Sequence, residues 1–200
     1  MSIDAFILAG GNSSRMGFDK ASLTLDGVAV VDRIINALSA VAENVYIAGG
    51  EGELSGVKRI PDVVGIGSDR SSLSGLYSSL KHARSNWIAV AACDMPFLTR
   101  GLFEKLASKC DDVHAAVIPR DRGGFVQPLC GLYRVEVCID ACLEAIERSD
   151  RSVQNMLRRI DTRWVEFDEI ADLPGSERFF SNLNTPADIA AAEAIIRTVK

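Results

Sequence analysis

A chain of 200 residues, 48% hydrophobic and 24% charged, has room for one sizeable α/β core and too little for two comfortable domains, so a single domain over residues 1–200 is expected. The formal net charge of -5 excludes a basic surface able to release phosphate counterions, and with it a nucleic-acid partner; a single nucleotide, needing only a few local cations, stays admissible. The N-terminal MSIDAFILAGG lacks the basic flank of a signal peptide, apolar runs such as 87–93 are far shorter than a membrane span, and five cysteines form no CxxC pair, so a reduced, cytoplasmic, membrane-free protein is expected.

In chain order, residues 3–9 form a short apolar run closed by glycines, the pattern of a fully buried strand. A polar, glycine-rich loop follows to about Lys20, and residues 30–41 then place Val31, Ile34, Ile35, Leu38 and Val41 on one helical stripe. Strands are predicted at 45–48, stopped by Gly49-Gly50, and at 57–60, ended by Pro61 and Asp62. A helix over 73–83 leads to a buried strand at 87–92, and Thr99 caps a helix to about Lys109 with Leu102, Phe103 and Leu106 turned inward. Strands at 115–118 and 128–133 flank the loop 121–124. Helices at 135–147 and 152–159 precede a strand at 164–167, and Thr185-Pro186 starts the last helix.

Strand and helix alternate through about the first 110 residues, which predicts an α/β fold with a mostly parallel sheet covered on both faces, mixed by an antiparallel strand late in the chain. In such sheets ligands sit beyond the carboxyl ends of the strands, so residues just after each strand are the ones to inspect. Cys138 and Cys142 share one helical face and read as a buried, reduced pair, and His82 and His114 read as packed or surface spectators.

Three segments carry chemistry. In the loop 8–20, Gly10 and Gly11 let the backbone pass close to a ligand and form an anion-binding nest, while Arg15 and Lys20 can neutralise the outer phosphates of a triphosphate. The loop is neither a Walker A motif nor GxGxxG, and a plain glycine-rich turn with solvated charges is its competing reading. Asp94, directly after the strand at 87–92, is either a metal ligand or a turn aspartate, because a bare carboxylate at a buried strand end is costly. Asn182, Asn184 and Thr185 read as helix-start chemistry, compatible with phosphate binding at that terminus.

LAGGNSSRMGFDK at 8–20, CDMPF at 93–97, QPLCGLY at 127–133 and NLNTPAD at 182–188 together resemble the molybdenum cofactor guanylyltransferases, in that family's order and over nearly the whole chain. The resemblance implies a three-layer Rossmann-like nucleotidyltransferase fold and transfer of GMP from GTP onto the terminal phosphate of molybdopterin, with Mg²⁺ as cofactor and release of pyrophosphate. It implies that Leu8, Ala9, Gly10, Lys20, Asp62 and Asp94 bind GTP, that Asp94 also binds Mg²⁺, and that Asn182 and Asn184 lie near the pterin end of the acceptor. Where many such enzymes carry a Gly-Pro-Leu turn, this chain has Arg70-Ser71-Ser72-Leu73-Ser74-Gly75-Leu76.

The expected catalytic set is Arg15, Lys20 and Asp94, with Gly11 and the backbone near Ala48 completing the nucleotide site. Gly10, where cytidylyl-specific relatives typically carry alanine, leaves room for a purine, and Asp62 can accept from both donors of guanine; its competing reading is a turn residue after Pro61. Transient contact with other cofactor-biosynthesis proteins or molybdoenzymes is expected. The rival readings are a cytidylyl- or sugar-phosphate nucleotidyltransferase of the same fold, and a nucleotide-binding regulator without turnover.

Overall fold

All six side chains of strand β1 (Ile3–Leu8) are buried: Ile3, Ala5 and Ile7 enter one core, Phe6 and Leu8 enter another on the opposite face, and the Asp4 carboxylate accepts from Asn44 Nδ2, Arg84 N and Ser85 N. The structure, a computed structural model, describes residues 1–9, 23–49, 53–63 and 71–198. Strands β4 (Asn44–Ala48), β6 (Val57–Ile60) and β7 (Trp87–Ala92) join β1 in parallel register, in the order β7-β1-β4-β6. Beyond β7 lie β9 (Cys130–Arg134), antiparallel to both neighbours, then β8 (Ala116–Pro119) and β10 (Thr162–Val165), which pair in parallel. The sheet is therefore mixed but mostly parallel.

Helices α1 (Val30–Leu38), α3 (Arg100–Ala107) and α6 (Pro186–Thr198) bury residues in one core, against Ile3, Ala5 and Ile7 of β1. Helices α2 (Ser72–His82), α4 (Val135–Glu147) and α5 (Val153–Leu157) bury theirs in the other, against Phe6 and Leu8. The result is three layers, helix–sheet–helix. No helix among the described residues is long and apolar enough to cross a membrane.

Two short hairpins were not among the predicted elements. Strands β2 (Thr24–Leu25) and β3 (Val28–Ala29) are joined by Asp26-Gly27 at φ 51° and 76°, and β5 (Glu53–Leu54) meets β6 through Ser55-Gly56 at φ 54° and 72°. Both are two-residue turns with positive φ at each central position, the geometry that matches strand twist. The expected strand at 164–167 is shifted to Thr162–Val165, because Phe167–Glu169 forms a 3-10 turn in which Glu166 and Glu169 cap each other. Helix α1 stops at Leu38 rather than near Val41, with the Ser39 hydroxyl donating to the Ile35 carbonyl (2.8 Å).

The chain passes from β1 to β4 and β6 on one side, then crosses through α2 to β7 on the other. The order reverses between β1 and β7, so their carboxyl ends form the switch point where a crevice opens.

Candidate active site

At that switch point, main-chain hydrogen bonds continue the sheet past the strand ends. Ala9 N donates to Ala48 O (3.0 Å), Gly49 N to Ile60 O (3.0 Å), and Cys93 N to Leu8 O (3.2 Å). These bonds bring Leu8, Ala9, Ala48 and the exit of β6 into one row, the residues expected at the nucleotide. The carbonyls of Leu8 and Ala48 each accept one of these bonds. Gly10, Gly11, Arg15 and Lys20 lie outside the described residues.

Asp62 is half-buried, two residues beyond the end of β6. The next residue is tied down: Val63 N donates to the Ser78 hydroxyl (2.9 Å), which in turn donates to Ser74 O (2.9 Å). Ser78 is 3% exposed, so this buried serine on α2 sets the path of the segment carrying Asp62. Sequence reading missed it, because a serine on a helix carries no signal until its partner is known. Arg59 was also passed over; its guanidinium donates to Gly49 O (3.4 Å), placing a cation at the exit of β4.

The segment that replaces the Gly-Pro-Leu turn opens α2 with its own chemistry. Ser71 caps the helix by accepting from Ser74 N (3.2 Å), while Ser71 N donates to the Ser74 hydroxyl (2.9 Å). Leu73 and Leu76 are fully buried beneath it. Arg70 lies outside the described residues.

Asp94 is half-buried in the turn after β7, between buried Cys93 and Met95. Its carbonyl accepts from Leu183 N (2.9 Å), joining two segments 89 positions apart. Leu183 is 2% exposed and anchors its segment, whereas Asn182 and Asn184 on either side are exposed. Leu183 thus fixes the two asparagines beside the strand that delivers Asp94. The helix start beyond them is self-sufficient: Asp188 N donates to the Thr185 hydroxyl (3.2 Å), and the Asp188 carboxylate accepts from Thr185 N (2.7 Å) and Asn184 N (3.0 Å).

The QPLCGLY segment supplies the strand beside β7. Ala92 N donates to Leu129 O (2.8 Å), and the buried Tyr133 hydroxyl donates back to Pro128 O. Gln127 Nε2 donates to the Asp121 carboxylate (3.1 Å), tying this segment to the loop after β8.

The histidines sit elsewhere. His82 stacks edge-on against Tyr46, with ring centroids 5.1 Å apart, in the last turn of α2 at the amino side of the sheet. Burial, followed by the charges of Lys58 and Arg84, holds its pKa below the ordinary value, so it stays neutral. His114 pairs with Asp111 at the surface (2.8 Å). Cys138 and Cys142 are fully buried on one face of α4; burial pushes the Cys138 thiol up to about 12 and Cys142 higher still, so both remain protonated.

Residues 5–164 match the family model described as a MobA-like NTP transferase domain. A protein of Nostoc sp. named "Probable molybdenum cofactor guanylyltransferase" is 33% identical, the match covering 96% of this chain and 90% of that one. One of the same name from Natronomonas pharaonis is 34% identical over 93% of this chain and 94% of the relative. Among solved structures, molybdopterin-guanine dinucleotide biosynthesis protein A from Archaeoglobus fulgidus superposes with a TM-score of 0.78 at 22% identity, covering 98% of this chain and 99% of its own. The 2-C-methyl-D-erythritol 4-phosphate cytidylyltransferase of Thermus thermophilus reaches 0.69 at 19% identity, covering 98% and 100%. At such identities the two structures share the fold, and the fold alone.

Proposed function

The chain belongs to the MobA-like NTP transferase family, and we propose on that premise that it transfers GMP from GTP to the terminal phosphate of molybdopterin. The observation that carries this reading is convergence: main-chain bonds gather the exits of β1, β4 and β7 and the NLN segment at one switch point. Nucleotide and acceptor can then meet over Asp94.

An oxygen of the acceptor phosphate attacks the α-phosphorus of GTP in line. The bond from that phosphorus to the oxygen bridging the β-phosphate breaks, and pyrophosphate leaves with the electron pair. The nucleophile is already ionised at neutral pH, so no general base is needed, and catalysis consists of alignment and charge neutralisation. Leu8, Ala9, Gly10, Gly11 and Ala48 form the nucleotide wall, Arg15 and Lys20 balance charge on the departing pyrophosphate, and Asn182 and Asn184 orient the acceptor. Asp62 accepts from N1–H and the exocyclic amine of guanine; adenine would present a lone pair at N1 and leave that carboxylate unpaired.

The donor set suits Mg²⁺. Asp94 offers one half-buried carboxylate, and no group of three or more His, Cys, Asp or Glu that could hold a metal occurs among the described residues. One carboxylate completed by phosphate oxygens and water is how Mg²⁺ is commonly held, and such an ion neutralises charge on the phosphates. A cytoplasmic setting and transient contact with other cofactor-biosynthesis proteins or molybdoenzymes belong to the same proposal.

The test is pyrophosphate release with molybdopterin, or its molybdate-loaded form, supplied with GTP, CTP or ATP in turn. GTP should show the highest kcat/KM, and Asp62→Asn should narrow its lead. Equal use of CTP would overturn the guanylyl assignment, and no release with any nucleotide would leave a nucleotide-binding regulator.

A further inference from the structure

The residues assigned to nucleotide and acceptor gather at the carboxyl ends of the parallel strands, and the opposite edge of the sheet has no role in that chemistry. A cleft of about 400 Å³ opens there, between the amino ends of β8 and β10, the carboxyl end of β9 and the end of α5. Its size falls among small-molecule pockets. The three strand ends are locked together: Ala115 N donates to Asp161 O (2.7 Å), and Arg134 N to Ala115 O (2.8 Å). Because β9 runs antiparallel to β8, its last residue, Arg134, reaches the edge at which β8 and β10 begin.

Three arginines, Arg134, Arg158 and Arg159, line this cleft against one carboxylate, Asp161. That is an excess of two positive charges, gathered on a chain whose formal net charge is -5. Like charges held this close repel one another unless an anion answers them. The exposed Arg158 pairs with no carboxylate among the described residues, while Arg159 is held by Asp150 Oδ2 (3.0 Å). Arg134 is only partly satisfied: NH1 donates to Asp112 O (2.7 Å), but Nε is closed off from water and meets no acceptor among the described residues. A buried donor without an acceptor costs free energy, and an anion that draws the guanidinium into the cleft relieves that cost. The remaining wall is apolar, formed by Val113, which is 70% exposed, with half-buried Val137 and Ile160.

We propose that this cleft is a second ligand site, built for a phosphate monoester with an apolar body. A monoester phosphate carries about 1.5 to 2 negative charges at pH 7 and three acceptor oxygens, which answers both the excess of positive charge and the number of guanidinia. Arg134 and Arg158 grip the phosphate through their planar forks, and Arg159, tied to Asp150, supplies charge beside them. Val113, Val137 and Ile160 cover the organic part of the ligand. A carboxylate brings about half the charge and one oxygen fewer, so it fits this set less well. The site lies at the far end of the strands from Asp94, and its ligand meets neither the nucleotide nor the acceptor.

The experiment titrates the full chain with phenyl phosphate, and separately with benzoate, by isothermal calorimetry, for the wild type, Arg158→Ala, Arg134→Lys and Lys20→Ala. Arg158 is exposed, so its truncation leaves the fold intact, and Arg134→Lys keeps the charge while removing the fork. Loss of a charge-assisted hydrogen bond should weaken phenyl phosphate about tenfold in Arg158→Ala, and Arg134→Lys should weaken it as well. Lys20→Ala should bind as the wild type does, and benzoate should bind more weakly than phenyl phosphate. Unchanged affinity in both arginine variants would overturn the proposal, as would a wild type that takes up no phenyl phosphate at millimolar concentration. Binding lost in Lys20→Ala would move the anion to the nucleotide loop, and equal affinity for benzoate would remove the phosphate; either result sinks the assignment.

Discussion

Gly131 lies in β9, between β7 and β8, where a methyl group has no room. A Cβ built there would stand 2.5 Å from Ile118 Cδ1 and 2.8 Å from the Val117 carbonyl oxygen. The first contact involves the end of a side chain and can be relieved by a rotamer change; the second is backbone of the neighbouring strand and cannot. Gly131→Ala must therefore push β9 away from β8, an overpacking that costs about 1–3 kcal/mol. In a chain of this size that lowers Tm by roughly 2–4 °C per kcal/mol. The assay is urea or thermal unfolding of Gly131→Ala, Ile118→Val and the double variant. Ile118→Val deletes Cδ1 and by itself costs about 0.5–1.5 kcal/mol. It should rescue part of the Gly131→Ala loss, giving a coupling energy smaller than the full effect. A neutral Gly131→Ala, or complete rescue by Ile118→Val, would refute the assignment of the cost to the Val117 backbone.

Asp94→Asn should keep the fold, since the carbonyl that binds Leu183 is unchanged, and lower transfer by at least about a hundredfold; near-normal turnover at saturating Mg²⁺ would remove Asp94 from the metal site. Lys20→Ala and Arg15→Ala should weaken GTP binding far more than GMP binding, and a parallel loss of both would exclude contact with the outer phosphates. Asp4 is 3% exposed: burial pushes its carboxyl up, but hydrogen bonds from the Asn44 side chain, Arg84 N and Ser85 outweigh this and leave its pKa below the ordinary value. A depressed carboxylate stabilises the fold above its unfolded pKa of about 3.9 and loses that contribution as pH falls through the folded value. The stability gap between the wild type and Asp4→Asn, read from urea unfolding, should therefore narrow from about pH 7 to about pH 3; a constant gap would show that the charge of Asp4 is not what stabilises.

Much of the fold was legible in the chain because its signals are local. The apolar runs at 3–8 and 87–92 could only be strands covered on both faces, and Thr99, Thr185 and Pro186 mark helix starts within a few residues of themselves. Asp94 stood out as a candidate from the chain alone, because a carboxylate ending a buried strand is costly without a partner. The Asp26-Gly27 and Ser55-Gly56 hairpins were equally local, and went unread because flanking strands of two residues show no alternation.

What the sequence could not state is which exits face each other. That Leu183 rather than the two asparagines anchors the NLN segment, that Ser78 holds the chain beside Asp62, and that Arg134 and Arg158 line one cleft depends on pairs separated by between 15 and 89 positions. Such contacts are set by strand order and by the crossing from β6 to β7, which no run of neighbouring residues encodes. The composition and the motifs of this chain determined an α/β nucleotide-binding protein; only the tertiary packing decided which strand ends gather beside Asp62 and which beside the arginine-lined cleft, because hydrophobic burial fixes that each strand is covered but not which strands adjoin.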